Sequence, residues 1–94
     1  MTTAFVASKF EVGEIVFTRG AMSCLTQDDV LKALVRHMNG DWGDVDDHDR
    51  KENEFALEQG LRLLSRYVTS TGATFWVITE HDRSITTFLL PEDY

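Results

Sequence analysis

Three short runs of strand-forming residues, separated by tight turns, occupy the last third of this 94-residue chain. Residues 61–68 alternate in character, as in an extended strand whose side chains point to opposite faces. Residues 75–79 are apolar on both faces, which is typical of a central strand, and residues 85–90 form the third run. Because turns of three or four residues join the runs, the pattern predicts an antiparallel three-strand meander.

Two helices are predicted before the meander. Thr26 and Asp29 have the spacing of a capping box, and the apolar residues after them follow the period of an amphipathic helix. Asn39 and Gly40 are a natural C-terminal cap for this helix. A second helix with fewer apolar residues is expected from about residue 47 to residue 59, ahead of Gly60. Its thin apolar stripe predicts that the helix packs only lightly against the rest of the protein, or packs at one end.

The chain is expected to contain a single domain. Residues 10–18 are rich in β-branched and aromatic residues and predict a strand ahead of both helices. The order β-α-α-β-β-β indicates an α+β fold, a small antiparallel sheet with one or two helices packed on one face. We expect residues 1–9 to be a flexible N-terminal segment and residues 10–94 to be the domain.

Charge and cysteine content exclude several classes of function. The net charge of −7 disfavours non-specific binding of nucleic acid, since the surface would repel phosphates. The acidity indicates either plain solubility or recognition of a basic protein surface, including mimicry of nucleic acid. The N-terminus lacks a basic leader, and no window approaches the roughly 20 apolar residues of a membrane span, so a cytoplasmic protein without membrane attachment is expected. Cys24 has no second cysteine with which to form a disulfide.

A loop with unusual composition follows the first predicted helix. His37, Asp41 and Trp42 lie there between or beside glycines, and loops on a rigid scaffold often carry binding groups. The candidate binding residues are His37, Asp41, Trp42, Asp44, Asp82 and Arg83. Structural roles are the alternative: His37 favours the helix dipole or is partly buried, Trp42 fills the core, and Asp41 caps the turn.

The acidic stretch after this loop suggests a metal site at first sight. Four aspartates and His48 lie within residues 44–49. Calcium loops place glycine at the sharp turn and a bidentate glutamate further on, and neither feature occurs at the required offset. Aspartates are also favoured at a helix start, so we expect a solvated acidic loop and no metal. No cofactor is expected either, because no glycine-rich loop follows a predicted strand.

The predicted hairpins offer a second set of chemical groups. A metal-independent RNase needs a base, an acid and a cation for the phosphate, and Glu80, His37, Arg62 and Arg66 could supply them. His81 and Arg83 are further choices for the acid and the cation. The alternative for these residues is an ion-pair network across neighbouring strands.

The chain resembles a family of small proteins from bacterial plasmids, phages and other mobile elements, known as plasmid-related proteins and sometimes labelled type I restriction methylation subunits. The resemblance covers about residues 10–94 and is carried by Arg36, His37, Gly40, Asp41, Trp42, Gly43, Asn53, Ala56, Leu57, Gly60, Arg62, Ser65, Tyr67, Trp76, Val77, Ile78, Thr79, Glu80, Asp82, Arg83, Ser84, Thr86, Thr87, Leu89, Leu90, Pro91 and Tyr94. It implies a mobile-element accessory protein. A methyltransferase domain would not fit in 94 residues.

Taken together, these features predict a small acidic accessory protein that binds another protein, including a role in counter-defence, without catalysis. A homodimer formed through an exposed strand edge is a further possibility. The alternative function is an RNase-like toxin that uses the hairpin residues.

Overall fold

A computed structural model of the protein describes residues 8–94, so most of the expected flexible N-terminal segment lies outside the described residues. No helix in this range is long and apolar enough to cross a membrane. The elements are β1 (Glu14–Phe17), α1 (Arg19–Cys24), α2 (Gln27–Met38), α3 (Asp47–Gln59), β2 (Leu63–Val68), β3 (Thr74–Thr79), β4 (Ile85–Leu89) and a short 3-10 helix (Pro91–Asp93).

The four strands form one mixed sheet in the order β1-β4-β3-β2. The pairs β2-β3 and β3-β4 are antiparallel, which confirms the α+β class and the C-terminal meander. The expectation of a wholly antiparallel sheet is wrong for β1, which is parallel to β4, with Glu14 opposite Ile85 and Phe17 opposite Phe88. Three helices and two strands separate β1 from β4 in sequence, and a long connection of this kind is what a parallel pair requires.

The helix ends follow the predicted capping pattern. In α2, Thr26 Oγ1 accepts from the Asp29 N–H at 3.0 Å, and the Asp29 carboxylate accepts from the Thr26 N–H at 3.0 Å. Gly60, at φ 68°, ends α3 in the left-handed conformation. Helix α1 was not predicted, and β1 is shorter than expected because the side chain of Thr18 caps α1 by accepting from the Ala21 N–H at 3.2 Å.

Helices α1 and α2 pack on one face of the sheet, which we call the inner face. The core there includes Ala21, Ala33, Tyr67, Phe75, Val77 and Phe88. A smaller cluster of Trp42, Ala56 and Leu63 joins α3 to the β2 side of the sheet. Alternation along the strands places Arg66, Trp76 and Ile78 on the opposite, outer face.

Groups from outside the sheet pair with the backbone of its edge strand β2. Along β2, the Arg66 N–H donates to the Trp42 carbonyl at 3.0 Å, and the Asp44 N–H donates to the Arg66 carbonyl at 2.7 Å. The side-chain amide of Asn53 binds both the carbonyl and the N–H of Leu64, at 2.7 and 3.0 Å. We call residues 42–44 the closing segment, because together with Asn53 they occupy the β2 edge.

Candidate functional site

His37 lies in a fully buried chain of hydrogen bonds between α2 and the inner face of the sheet. Its Nδ1 is 2.6 Å from Ser65 Oγ, and its Nε2 is 2.9 Å from Thr79 Oγ1. Thr79 Oγ1 is in turn 2.7 Å from Thr86 Oγ1, which donates to the Val12 carbonyl at 2.7 Å. The four side chains of His37, Ser65, Thr79 and Thr86 are 0% exposed.

The Val12 carbonyl at the end of this series of hydrogen bonds determines which group donates in each bond between it and His37. Since the Thr86 hydroxyl donates to a carbonyl, it accepts from Thr79, so Thr79 must accept from His37. His37 therefore carries a proton on Nε2, and in the neutral ring Nδ1 accepts from the Ser65 hydroxyl. Burial, together with the charge of Arg83, lowers the pKa of His37 to about 4. The imidazole is thus a satisfied structural group, inaccessible to a substrate.

Trp42 fills the space beside His37. It is 3% exposed, and its indole Nε1 donates to the Glu54 carboxylate at 2.7 Å. Its ring stacks on Phe10 at a centroid distance of 6.2 Å and meets the His37 ring edge-on at 5.7 Å. Trp42 therefore fills the core, which is one of the two predicted alternatives, and its side chain is not available as an exposed anchor for a partner.

Asp41 fastens the loop to α2. Arg36 donates to both of its carboxylate oxygens, at 2.8 and 3.2 Å, and this ion pair lowers the pKa of Asp41. The Gly43 N–H also donates to this carboxylate, at 3.1 Å. The Tyr67 hydroxyl donates to the Asp41 carbonyl at 2.6 Å, and burial raises the pKa of Tyr67. These contacts give Asp41 a structural role in positioning the closing segment.

Asp82 and Arg83 stabilise the turn between β3 and β4. Arg83, at φ 62°, donates to three backbone carbonyls, those of Leu61, Glu80 and Ala56, at 2.6, 3.1 and 3.2 Å. Burial lowers the pKa of Arg83. The Asp82 carboxylate accepts from the hydroxyl and the N–H of Ser84, which lowers the pKa of Asp82. Arg83 therefore ties the end of α3 to the turn.

The residues proposed for RNase chemistry lie on opposite sides of the sheet. Alternation places Arg62, Arg66 and Glu80 on the outer face, whereas His37 contacts the inner face. Arg62 donates to the Tyr94 hydroxyl at 2.8 Å, and Arg66 lies opposite Trp76 in the β2-β3 ladder. The sheet thus separates the imidazole from the other three groups, and they do not form one site.

The acidic stretch forms the start of α3. Ligand atoms of Asp46, His48 and Asp49 lie within 4.8 Å of one another on the surface, and Asp44 is also exposed. Asp46 Oδ1 accepts from the Asp49 N–H at 2.8 Å, which is the bond of an N-terminal helix cap. Helix capping accounts for this cluster.

A groove between α2 and β2 exposes more apolar surface than the sequence predicted. Its volume is about 600 Å³, and its walls include Leu31, Val35 and Val68, which are 55%, 43% and 51% exposed. Buried Tyr67 and Phe75 also line the groove. The apolar stripe of α2 is wider than the sheet can cover, and this width is the sequence signal that indicates the groove.

The polar groups around this groove are mostly bound within the chain. Asp28 pairs with Lys32 at 2.9 Å, while Asp29 belongs to the capping box of α2. The Thr69 hydroxyl accepts from the Ala73 N–H at 2.9 Å. The surface that the groove offers to a ligand is therefore chiefly aliphatic.

Comparisons of the chain with family models, with curated proteins and with solved structures gave no match. The resemblance to plasmid-related proteins therefore stays a prediction, and the geometry of the described residues is the basis for a proposal about function.

Proposed function

We propose that the protein acts by binding another protein through the groove between α2 and β2, and not by catalysis. The exposure of Leu31 and Val35 along one wall of the groove carries this proposal. Full burial of an aliphatic side chain contributes about 1.5–3 kcal/mol, so covering the exposed half of these two contributes about 2 kcal/mol. That free energy corresponds to roughly thirtyfold in affinity.

The state of the polar groups favours a protein partner over a small molecule. Small-molecule sites add a few free polar groups that orient the ligand. Here the hydroxyl of Tyr67 is bound to a backbone carbonyl, and Asp28 is neutralised by Lys32. An aliphatic groove of this kind suits apolar side chains projecting from one face of a partner helix.

Charge indicates the kind of partner. The net charge of −7 attracts a positively charged protein and accelerates its association. We therefore propose an amphipathic helix with large apolar residues on one side and basic residues beside them. The resemblance to plasmid-related proteins adds the proposal that the partner belongs to the host or to a mobile element, with inhibition of a host defence protein as one such role.

An affinity pull-down from bacterial lysate, with and without nuclease, tests this proposal. The double variant Leu31→Ser with Val35→Ser removes apolar surface from the groove and leaves the buried face of α2 unchanged. Phe55→Ser is the matched control, because Phe55 is 56% exposed on α3 and does not line the groove. We expect one nuclease-insensitive partner that the groove variant loses and the control variant retains.

Titration with the purified partner then locates the contact. Methyl NMR signals of Leu31 and Val35 should shift, while those of Leu89, on the outer face, should not. Binding that survives the groove variant would show that the contact lies elsewhere. Recovery of nucleic acid without a protein would contradict the proposal and favour the RNase alternative.

A further inference from the structure

The hydrogen-bonding pattern of β1 shows which of its backbone groups face outward. The Glu14 N–H donates to the Ser84 carbonyl at 2.9 Å, and the Thr18 N–H donates to the Phe88 carbonyl at 3.1 Å. In a parallel strand the N–H and C=O of one residue point to the same side, and the side alternates. Glu14, Val16 and Thr18 therefore face β4, while the backbone groups of Ile15 and Phe17 point away from the sheet.

The outer edge of β1 is open among residues 8–94. No backbone group in this range pairs with the outward N–H and C=O groups of Ile15 and Phe17. At the opposite edge of the sheet, the closing segment and Asn53 pair with the outward groups of Arg66 and Leu64. Unpaired groups along an edge strand are a template for a further strand, so β1 is the edge at which the sheet can grow.

We propose that β1 pairs antiparallel with β1 of a second copy, about a twofold axis through Val16. Ile15 then lies opposite Phe17 of the other copy, and both residues present outward N–H and C=O groups. This register forms four backbone hydrogen bonds and joins the two sheets into one of eight strands. A shift by one residue would bring inward-facing groups to the interface and lose these bonds.

Charge and apolar surface favour a second copy in this orientation. Glu14 begins the strand and Arg19 begins α1 just after it, so antiparallel pairing brings opposite charges to the same end of the strand pair, whereas parallel pairing brings like charges together. A cavity of about 240 Å³ lies on the helical side of this edge, lined by Phe17, Leu25 and Met22, and Met22 is 72% exposed. A second copy at the edge covers this apolar surface.

Disulfide trapping tests the register. Val16 faces its own symmetry mate in a pair without direct hydrogen bonds, where the Cα atoms are about 4.5 Å apart, within the range of a disulfide. The full chain carrying Val16→Cys, with the exposed Cys24 changed to serine, should form a covalent dimer on mild oxidation. Most of the protein should convert to the disulfide-linked dimer. As long as the protein concentration stays above the dissociation constant of the dimer, dilution should reduce this yield only weakly.

Glu14→Cys in the same background is the matched control. It lies on the same strand and the same face, but the register separates the two copies of residue 14 by four residues, about 13 Å. This exceeds the roughly 7 Å limit for a disulfide, so the control should form no covalent dimer. Equal cross-linking of both variants would indicate random collision and overturn the proposal, as would no cross-linking of Val16→Cys.

Light scattering of the unaltered protein is the independent measurement. The mass should rise from 10.7 kDa towards twice that value as concentration increases. A mass of one chain at all concentrations would also overturn the proposal, and it is the result expected if residues 1–7 or a peptide from another protein occupy the edge. Neither measurement involves the groove, so this inference and the proposed function can fail separately.

Discussion

The two edges of the sheet differ in how their backbone groups are satisfied. The β2 edge is covered by the closing segment and the Asn53 amide, whereas the β1 edge leaves Ile15 and Phe17 open among the described residues. The loop that carries Trp42 has the composition of a functional loop, yet its backbone and aromatic ring close one edge. The difference teaches that the conspicuous residues of this chain maintain the fold, while the exposed aliphatic surfaces of residues 8–94 are formed by less conspicuous residues.

The largest effect is expected from breaking the closed edge at Gly43. This residue has φ 76°, and a Cβ there would lie 2.1 Å from the Arg66 carbonyl oxygen and 2.6 Å from the Tyr67 ring. Gly43→Ala must therefore displace the closing segment from β2. We expect a loss of about 4 kcal/mol in the free energy of unfolding, measured by urea denaturation.

Gly60→Ala provides the control for backbone strain alone. Gly60 has φ 68°, and its added Cβ would meet nothing within 4 Å. The left-handed conformation by itself costs about 1–2 kcal/mol for a residue with a side chain. If both variants lose the same stability, the close approach of Gly43 to β2 does not hold the edge.

The second largest effect on stability is expected from lowering the pH, because His37, which is buried behind the β2 edge, binds a proton more readily in the unfolded chain. Its pKa is about 4 in the folded protein, below the ordinary value of 6.5. Between these values the unfolded chain binds the proton more readily, so the free energy of unfolding falls as the pH falls from 6.5 to 4. The shift corresponds to about 3 kcal/mol, present in full above pH 6.5.

Urea unfolding at a series of pH values measures this dependence. Asp41 and Asp82, whose pKa values are lowered, contribute stability that is lost only below the ordinary carboxylate pKa of 3.8. The variant His37→Gln should be less stable at pH 7 and should lack the slope between pH 6.5 and 4. A slope that persists in this variant would assign the effect to another group.

The sequence predicted the elements that local patterns determine. The capping box at Thr26 and the stop at Gly60 gave α2 and α3, and the turns around Gly72 and Asp82 gave the meander. Helix α1 was missed because six residues that include Gly20 show no helical period, although Thr18 is a possible cap. The pairing of β1 with β4 was missed because it depends on contacts about 70 residues apart, which local patterns do not encode.

The site was less predictable than the fold for the same reason. His37 and Trp42 were identified as notable, but their burial depends on which strand faces α2. The partners of His37, Ser65 and Thr79, follow from the register of β2 and β3, which side-chain alternation alone does not specify. Arg62 and Glu80 lie just beyond the ends of β2 and β3, and their separation from His37 depends on the direction of each side chain.

The smallest of the three effects is expected from Asn53, which satisfies the edge of β2 with a side chain where the closing segment uses backbone. Asn53 is 5% exposed and binds both the N–H and the carbonyl of Leu64. Asn53→Ala leaves these two groups without their partner, at a cost of about 2 kcal/mol in the free energy of unfolding. At the open edge the same kinds of group on Ile15 and Phe17 have no such partner among the described residues to lose.

Asn39→Ala is the matched control, since the exposed Asn39 side chain donates to the Val35 carbonyl at 2.8 Å and water can replace it. This change should cost about 0.5 kcal/mol. Hydrogen exchange adds a local readout, because the Leu64 amide should exchange faster in Asn53→Ala while the Arg66 amide, still bonded to Trp42, should not. If Asn53→Ala costs no more than Asn39→Ala and leaves Leu64 protected, the closing segment alone covers the β2 edge, and the two edges differ only through that segment.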